Sequence, residues 1–184
     1  MFIQTESTPN PATLMFLPGR LVAGSTPVDF PSSDTAARSP LAQTLFDIDG
    51  VRQVFLGADF VSVTKDDRDW MQLKPVVLGA LMEHFVSGQP VFAQGGEAGE
   101  EDEFFAPEHA ETVDEIKDLI ETRVRPAVAS DGGDIRFRGF KDGTVFLSMK
   151  GACAGCPSST ATLKHGIENL LKHFVPGVES VEQI

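Results

Sequence analysis

Lys150-Gly151-Ala152-Cys153-Ala154-Gly155-Cys156-Pro157-Ser158-Ser159-Thr160-Ala161-Thr162 holds both cysteines of a 184-residue chain, and its two flanks decide the fold. On the amino-terminal side Val145, Leu147 and Met149 alternate with Phe146, Ser148 and Lys150, the period of a half-buried strand. On the other side Leu163, Ile167, Leu170, Leu171 and Phe174 recur at helical spacing on one side of a helix that Pro157 with Ser158 or Ser159 opens. The cysteines therefore lie between the end of a strand and the start of a helix. A C-x2-C pair there fits half of a tetrahedral zinc site, half of an iron–sulfur ligand set, or a redox dithiol.

Working outward, Ile135 and Phe137 alternate with Arg136 and Arg138. Lys141-Asp142-Gly143 then joins this strand to the one that leads to the cysteines, giving a hairpin with one buried face. Asp131-Gly132-Gly133 supplies residues of positive φ for the turn that enters the hairpin. Before it, Thr112-Val113-Asp114-Glu115 has the form of a capping box and introduces Val113, Ile116, Ile120 and Val124 at helical spacing, with Pro126 kinking or ending that helix. Past the last helix, Pro176-Gly177 is a stop and Val178 to Ile184 reads as a returning strand.

The first half of the chain reads as a second, separate α/β pattern. Strands are expected at Phe2–Thr5 and Leu14–Leu17, divided by the turn Thr8-Pro9-Asn10-Pro11. Val22 to Pro31 shows no period. Ser39 with Pro40 opens a short helix to Asp47, Val51–Leu56 and Phe60–Lys65 form a hairpin, and Asp69 caps a longer helix. Trp70, Leu73, Val77, Leu81 and Phe85 give that helix a core face, and Pro75 blurs its first turn.

Between Lys74 and Lys117 the chain has no Lys or Arg, and Glu97, Glu100, Glu101, Asp102 and Glu103 follow Gly95-Gly96. This composition describes a solvated, self-repelling spacer. Phe104 and Phe105 interrupt it, either to pin the spacer to a domain or to touch a partner. The fold class is thus α/β (α+β): two small domains, each a short sheet packed with helices, at 1–88 and 111–184, joined by an acidic linker over 89–110.

The formal net charge of −12 argues against nucleic acid and against anionic membranes. No apolar run is long enough to span a bilayer, and no export signal follows Met1. Two cysteines three apart make a poor disulfide framework and favour a reducing compartment.

A thiolate near a helix N-terminus is stabilised by the backbone N–H groups, which suits ligation and nucleophilic attack alike. The small residues Gly151, Ala152, Ala154 and Gly155 leave room for an inorganic cluster, so a cluster ranks first, a redox dithiol second and zinc third. A thioredoxin-like site belongs to a parallel βαβ unit, whereas a hairpin precedes the motif here. If a cluster is held, it takes four protein thiolates where one chain offers two, so two chains must share it. His84, His109, His165 and His173 could in principle complete a zinc site with the two cysteines, but His165 and His173, eight apart on the last helix, fit no close Cys2His2 spacing, and no histidine is expected as a ligand. Lys150 and Lys164 flank the motif as solvated cations that could offset cluster charge. No nucleophile–base pair, P-loop or dinucleotide fingerprint occurs, and catalysis is not expected.

Arg125-Pro126, Asp131-Gly132-Gly133-Asp134, Gly151-x-Cys153-x-x-Cys156-Pro157-Ser158-Ser159 and Pro176-x-Val178 resemble the NifU-type cluster-binding domain. Thr8-Pro9-Asn10-Pro11, Leu17-Pro18-Gly19, Arg38-Ser39-Pro40-Leu41-Ala42 and Phe60-Val61-Ser62-Val63-Thr64-Lys65 resemble the domain that precedes it in the Nfu iron–sulfur scaffold and carrier proteins. The resemblance covers nearly the whole chain. It implies that Cys153 and Cys156 bind a [4Fe-4S] cluster bridged between two subunits of a homodimer. The cluster would come from upstream donors and pass to apo proteins such as lipoyl synthase or aconitase-like enzymes, with the amino-terminal domain in partner contact or regulation. A dithiol oxidoreductase using the same cysteines is the alternative. A bacterial cytoplasm is the expected compartment, and a processed mitochondrial matrix protein is the alternative.

Overall fold

The computed structural model describes residues 1–93, 102–154 and 157–184, and the chain divides into two compact units, Met1–Gly99 and Glu100–Ile184. In the first, strands β1 (Gln4–Ser7), β2 (Thr13–Leu17), β3 (Val28–Phe30), β4 (Val51–Leu56) and β5 (Val61–Lys65) form a sheet in the order β1-β2-β5-β4-β3. Every neighbouring pair in it is antiparallel. Helices α1 (Pro40–Phe46) and α2 (Trp70–Ser87) complete the unit. Phe16, Phe30, Val54, Leu56, Leu41 and Leu81 are among the side chains fully removed from solvent in its core.

The local reasons are those of caps and turns. Ser39 accepts a hydrogen bond from the N–H of Ala42 at the start of α1, and Asp69 accepts one from Met71 at the start of α2. Pro75 stays inside α2, and Gly88 ends it at φ 71°. The first strand runs two residues later than expected, over Gln4–Ser7, because the Thr8–Thr13 turn supplies its own partners. Thr8 Oγ1 donates to the Asn10 and Thr13 carbonyls, and Asn10 Oδ1 accepts from the Ala12 N–H. The aperiodic stretch from Val22 to Pro31 contains β3, whose three residues are too few to display a period; its Phe30 is fully buried. Trp70 caps the core rather than entering it, packing on Phe16 while Nε1 donates to the Pro11 carbonyl.

The second unit has β6 (Phe104–Phe105), α3 (Ala110–Leu119), a π-helical turn at Ile120–Val124, α4 (Arg125–Ser130), β7 (Gly133–Lys141), β8 (Thr144–Gly151), α5 (Pro157–Phe174) and β9 (Ser180–Gln183). Its sheet has the order β6-β7-β8-β9. Strand β6 runs parallel to β7, β7 antiparallel to β8, and β9 parallel to β8. Asp142 and Gly143, at φ 52° and 75°, make the two-residue β7–β8 turn. A bulge between Phe137 and Gly139 breaks the alternation, which is why both Phe137 and Phe140 reach the core.

Three expectations are corrected here. Thr112 does not cap α3: a 3-10 turn at Pro107–His109 starts the helix early, so the capping-box residues lie inside it. Pro126 neither kinks nor ends the helix at its own position. The π turn upstream takes up the irregularity, with the Arg125 N–H bonded to Ile120 five residues back, so that Pro126 falls in the first turn of α4. Phe174 is not on the buried face of α5. It is 45% exposed and lies under the guanidinium of Arg123.

The span 89–110 expected as linker includes residues outside the described set, among them Gly95, Gly96, Glu97, Glu100 and Glu101. Its described flanks are each tied to one unit. Ser39 Oγ donates to the Val91 carbonyl at one end, and at the other Phe104–Phe105 join the second sheet as β6.

Candidate functional site

Cys153 sits just past the last residue of β8 and is 4% exposed. The pairing of Gly133 with Gly151 closes the end of the β7–β8 ladder beside it. Gly151 leaves the strand at φ 70°, the Ala152 N–H bonds to the Gly132 carbonyl at 3.2 Å, and the Ala154 N–H returns to the Gly151 carbonyl at 3.1 Å. From α5, Thr160 Oγ1 donates to the Cys153 carbonyl at 3.0 Å, tying loop to helix. Cys156 and Gly155 lie outside the described residues, as do the side chains of Ser158 and Ser159.

Of the two glycines expected at positive φ before β7, only Gly132 has it, at 80°. Gly133 is needed for a different reason. A Cβ there would stand 2.7 Å from the Lys150 carbonyl oxygen and 2.9 Å from Cys153 Sγ. The sulfur is therefore seated directly against the start of β7. The next residue, Asp134, is a buried carboxylate with 6% side-chain exposure. Arg125 grips it with Nε at 2.8 Å and Nη2 at 3.3 Å, and Arg136 adds Nε at 3.2 Å. Arg125 also donates to Glu121 at 2.6 Å. Burial alone would depress the Arg125 pKa, but its hydrogen bonds to Asp134 and Glu121 raise it above the ordinary guanidinium value.

Sequence reasoning from residue types missed this network. Nine residues and an element boundary separate Arg125 from Asp134, and no local period links them. The run Asp131-Gly132-Gly133-Asp134 was the available signal, two small residues before an acid that a strand would bury.

His165 and His173 are exposed on α5, and His109 lies edge-on to Phe140. Among the described residues no group of three or more His, Cys, Asp or Glu could hold a metal ion. Lys164 bonds to Glu182 at 3.1 Å, joining α5 to β9. The donors at this loop are thus soft thiol sulfurs with small neighbours, which suits an iron–sulfur cluster or zinc and not a hard cation.

One sequence argument is weakened. A hairpin does precede the cysteines, but β8, α5 and β9 also form a parallel β-α-β unit with the motif at its first junction. Topology therefore does not exclude a thioredoxin-like dithiol. Among the described residues, no helix is long and apolar enough to cross a membrane.

Comparison with known proteins separates the alternatives. Residues 3–88 match the family model "Scaffold protein Nfu/NifU N terminal" and residues 116–182 match the "NifU-like domain". The chain is 48% identical over its full length to "NFU1 iron-sulfur cluster scaffold homolog, mitochondrial" from Homo sapiens, covering 72% of that protein. The chain belongs to the Nfu/NifU family of iron–sulfur cluster scaffolds. It is also 53% identical to "NifU-like protein 4, mitochondrial" from Arabidopsis thaliana, again over its full length, and spans 66% of that relative. A solution structure of a NifU-like protein from Saccharomyces cerevisiae matches with 28% identity over 50% of this chain and 85% of the other, at a TM-score of 0.46. The family is one of scaffolds rather than catalysts, and both of its signature regions are present in this chain.

Proposed function

We propose that this chain carries a [4Fe-4S] cluster as cargo, held between two copies by Cys153 and Cys156 of each, and delivers it to apo proteins. The observation that supports this best is the donor set at the β8–α5 junction. One chain offers two thiols between a closed ladder and a helix start, and a cluster takes about four protein thiolates. The α5 N-terminus favours the thiolate form needed for ligation. Cys153 is 4% exposed against Gly133, so it ligates a shared cluster by turning outward from that seat. A cargo that must leave is served by such a loop, since the apo form re-buries the sulfur once the cluster has gone.

The carboxy-terminal unit, taken as residues 111–184, is the cluster-binding domain. The amino-terminal unit, 1–88, has no cysteine and serves partner contact or regulation. Upstream donors load the dimer, and the recipients are apo enzymes of the lipoyl synthase or aconitase-like kind. The compartment is a reducing one, a bacterial cytoplasm or a mitochondrial matrix.

Anaerobic reconstitution of the full chain with ferrous iron and sulfide tests the reading. The expected result is broad visible absorbance from iron–sulfide charge transfer, with iron and sulfide in equal amounts, both lost in Cys153→Ala and in Cys156→Ala. Protein that takes up no iron but turns over disulfides through the same two residues would replace the carrier with the dithiol oxidoreductase.

A further inference from the structure

At the outer edge of the second sheet, β6 contributes two residues, Phe104 paired with Gly139 and Phe105 with Phe140. The seat is shaped for an aromatic. A Cβ on Gly139 would meet the Phe104 ring at 2.4 Å, and that ring lies 5.2 Å from Phe146. Phe105 stands 6.5 Å from Phe137, and Glu103 bonds to Lys117 Nζ at 2.8 Å. The hold is slight all the same. Among the described residues two ladder positions and one exposed ion pair fix the segment, and Phe104 and Phe105 remain 43% and 38% exposed.

Beyond this short pairing the edge continues as a groove. A cavity of about 490 Å³ lies between β7 and the α3–π helix, lined by Asp102, Glu103, Lys117, Arg125, Arg136 and Phe137 among others. Because β6 is parallel to β7, a strand extended upstream from Phe104 runs past Phe137 and Arg136 toward Gly133, the residue against Cys153. With Asp102 and Glu103 withdrawn, the remaining charged lining is Lys117, Arg125 and Arg136 against Glu121; even with the buried Asp134 that Arg125 and Arg136 clasp counted beside it, one positive charge is in excess, in a chain of net charge −12.

We propose that this groove is a docking site for an extended acidic–aromatic segment of the recipient protein, added to β7 as an edge strand, with Asp102–Phe105 as the chain's own placeholder. The present occupant defines the chemistry: carboxylates facing Lys117, followed by an aromatic on Gly139. A longer segment from a recipient makes more ladder bonds than the placeholder can and points along β7 at the cysteine loop. The identity of the partner as a cluster recipient rests on the carrier reading; the groove itself does not.

The test titrates a fluorescently labelled peptide, Gly-Glu-Glu-Asp-Glu-Phe-Phe-Ala, the sequence of residues 99–106, into the full-length chain and follows anisotropy. Glu103→Ala, which weakens only the placeholder, is expected to tighten peptide binding by about fivefold. Lys117→Glu, and separately a peptide with both Phe replaced by Ala, are expected to abolish it. Both substituted side chains are at the surface, and far-UV circular dichroism verifies that the variants fold. No binding to any variant, or equal binding to wild type, Glu103→Ala and Lys117→Glu, overturns the proposal. Iron loading is measured on the same samples. Intact loading with no peptide binding removes the groove alone, and specific peptide binding without loading removes the carrier reading alone.

Discussion

The two units bury polar groups in different ways. In the first, the buried polar residues among those described are Thr13, Ser39, Ser62 and His84, none of them a carboxylate or guanidinium; Thr13 bonds Thr64 across β2–β5, and Ser39 caps α1. In the second, the buried polar group among the described residues is a carboxylate, Asp134, clasped by two guanidiniums beside the residue that touches Cys153. A buried charge adds little net stability against an apolar alternative but is costly when its partner is removed. Its value in the second unit is positional: it fixes the start of β7, and so the wall against which the sulfur rests.

The lone tryptophan, Trp70, lies in the first unit, so its emission follows that unit while circular dichroism follows both. The contrast can be tested on that basis. The largest effect is expected from Asp134→Ala, which leaves Arg125 half-buried without its main partner. On the order of 3 kcal/mol should be lost from the second unit, seen as an earlier urea transition by circular dichroism with the Trp70 transition unmoved. If both transitions move together, the two units do not unfold independently.

Next comes Gly133→Ala. The Lys150 carbonyl at 2.7 Å from the new Cβ is backbone and cannot swing away, so about 2 kcal/mol of overpacking is expected. Iron uptake should fall in parallel, measured as iron per chain after reconstitution. Ser39→Ala should cost about 1 kcal/mol through the lost α1 cap and move the Trp70 transition alone.

The smallest effect concerns His84. Its ring nitrogens have no hydrogen-bond partner among the described residues, and burial lowers its pKa. The unfolded chain then binds the proton more readily than the folded one, so the first unit is at full stability above about pH 6.5 and loses stability as pH falls below it. The Trp70 transition should weaken between pH 7.5 and 5.5 in wild type and flatten in His84→Leu. An unchanged slope in that variant would assign the dependence to other groups.

Strands, helices and their caps were largely legible, because Ser39, Asp69, the β7–β8 turn and the apolar stripes act within a few residues of themselves. The cysteine loop was legible as a junction for the same reason. What escaped depends on contacts that span elements. Gly133 looks like a turn glycine until Cys153 is placed against it, and Arg125 looks like a surface cation until the helix turns it onto Asp134. The capping-box pattern at Thr112 was overridden by Pro107 upstream, and β6 was hidden inside an acidic run whose composition describes a spacer.

Native mass spectrometry of the anaerobically reconstituted full chain tests the central claim most directly. The account predicts a species of two chains with about four irons and four sulfides, replaced by metal-free monomer in Cys153→Ala and in Cys156→Ala. A single chain retaining a whole cluster, or a dimer that keeps its iron when either cysteine is absent, would contradict it.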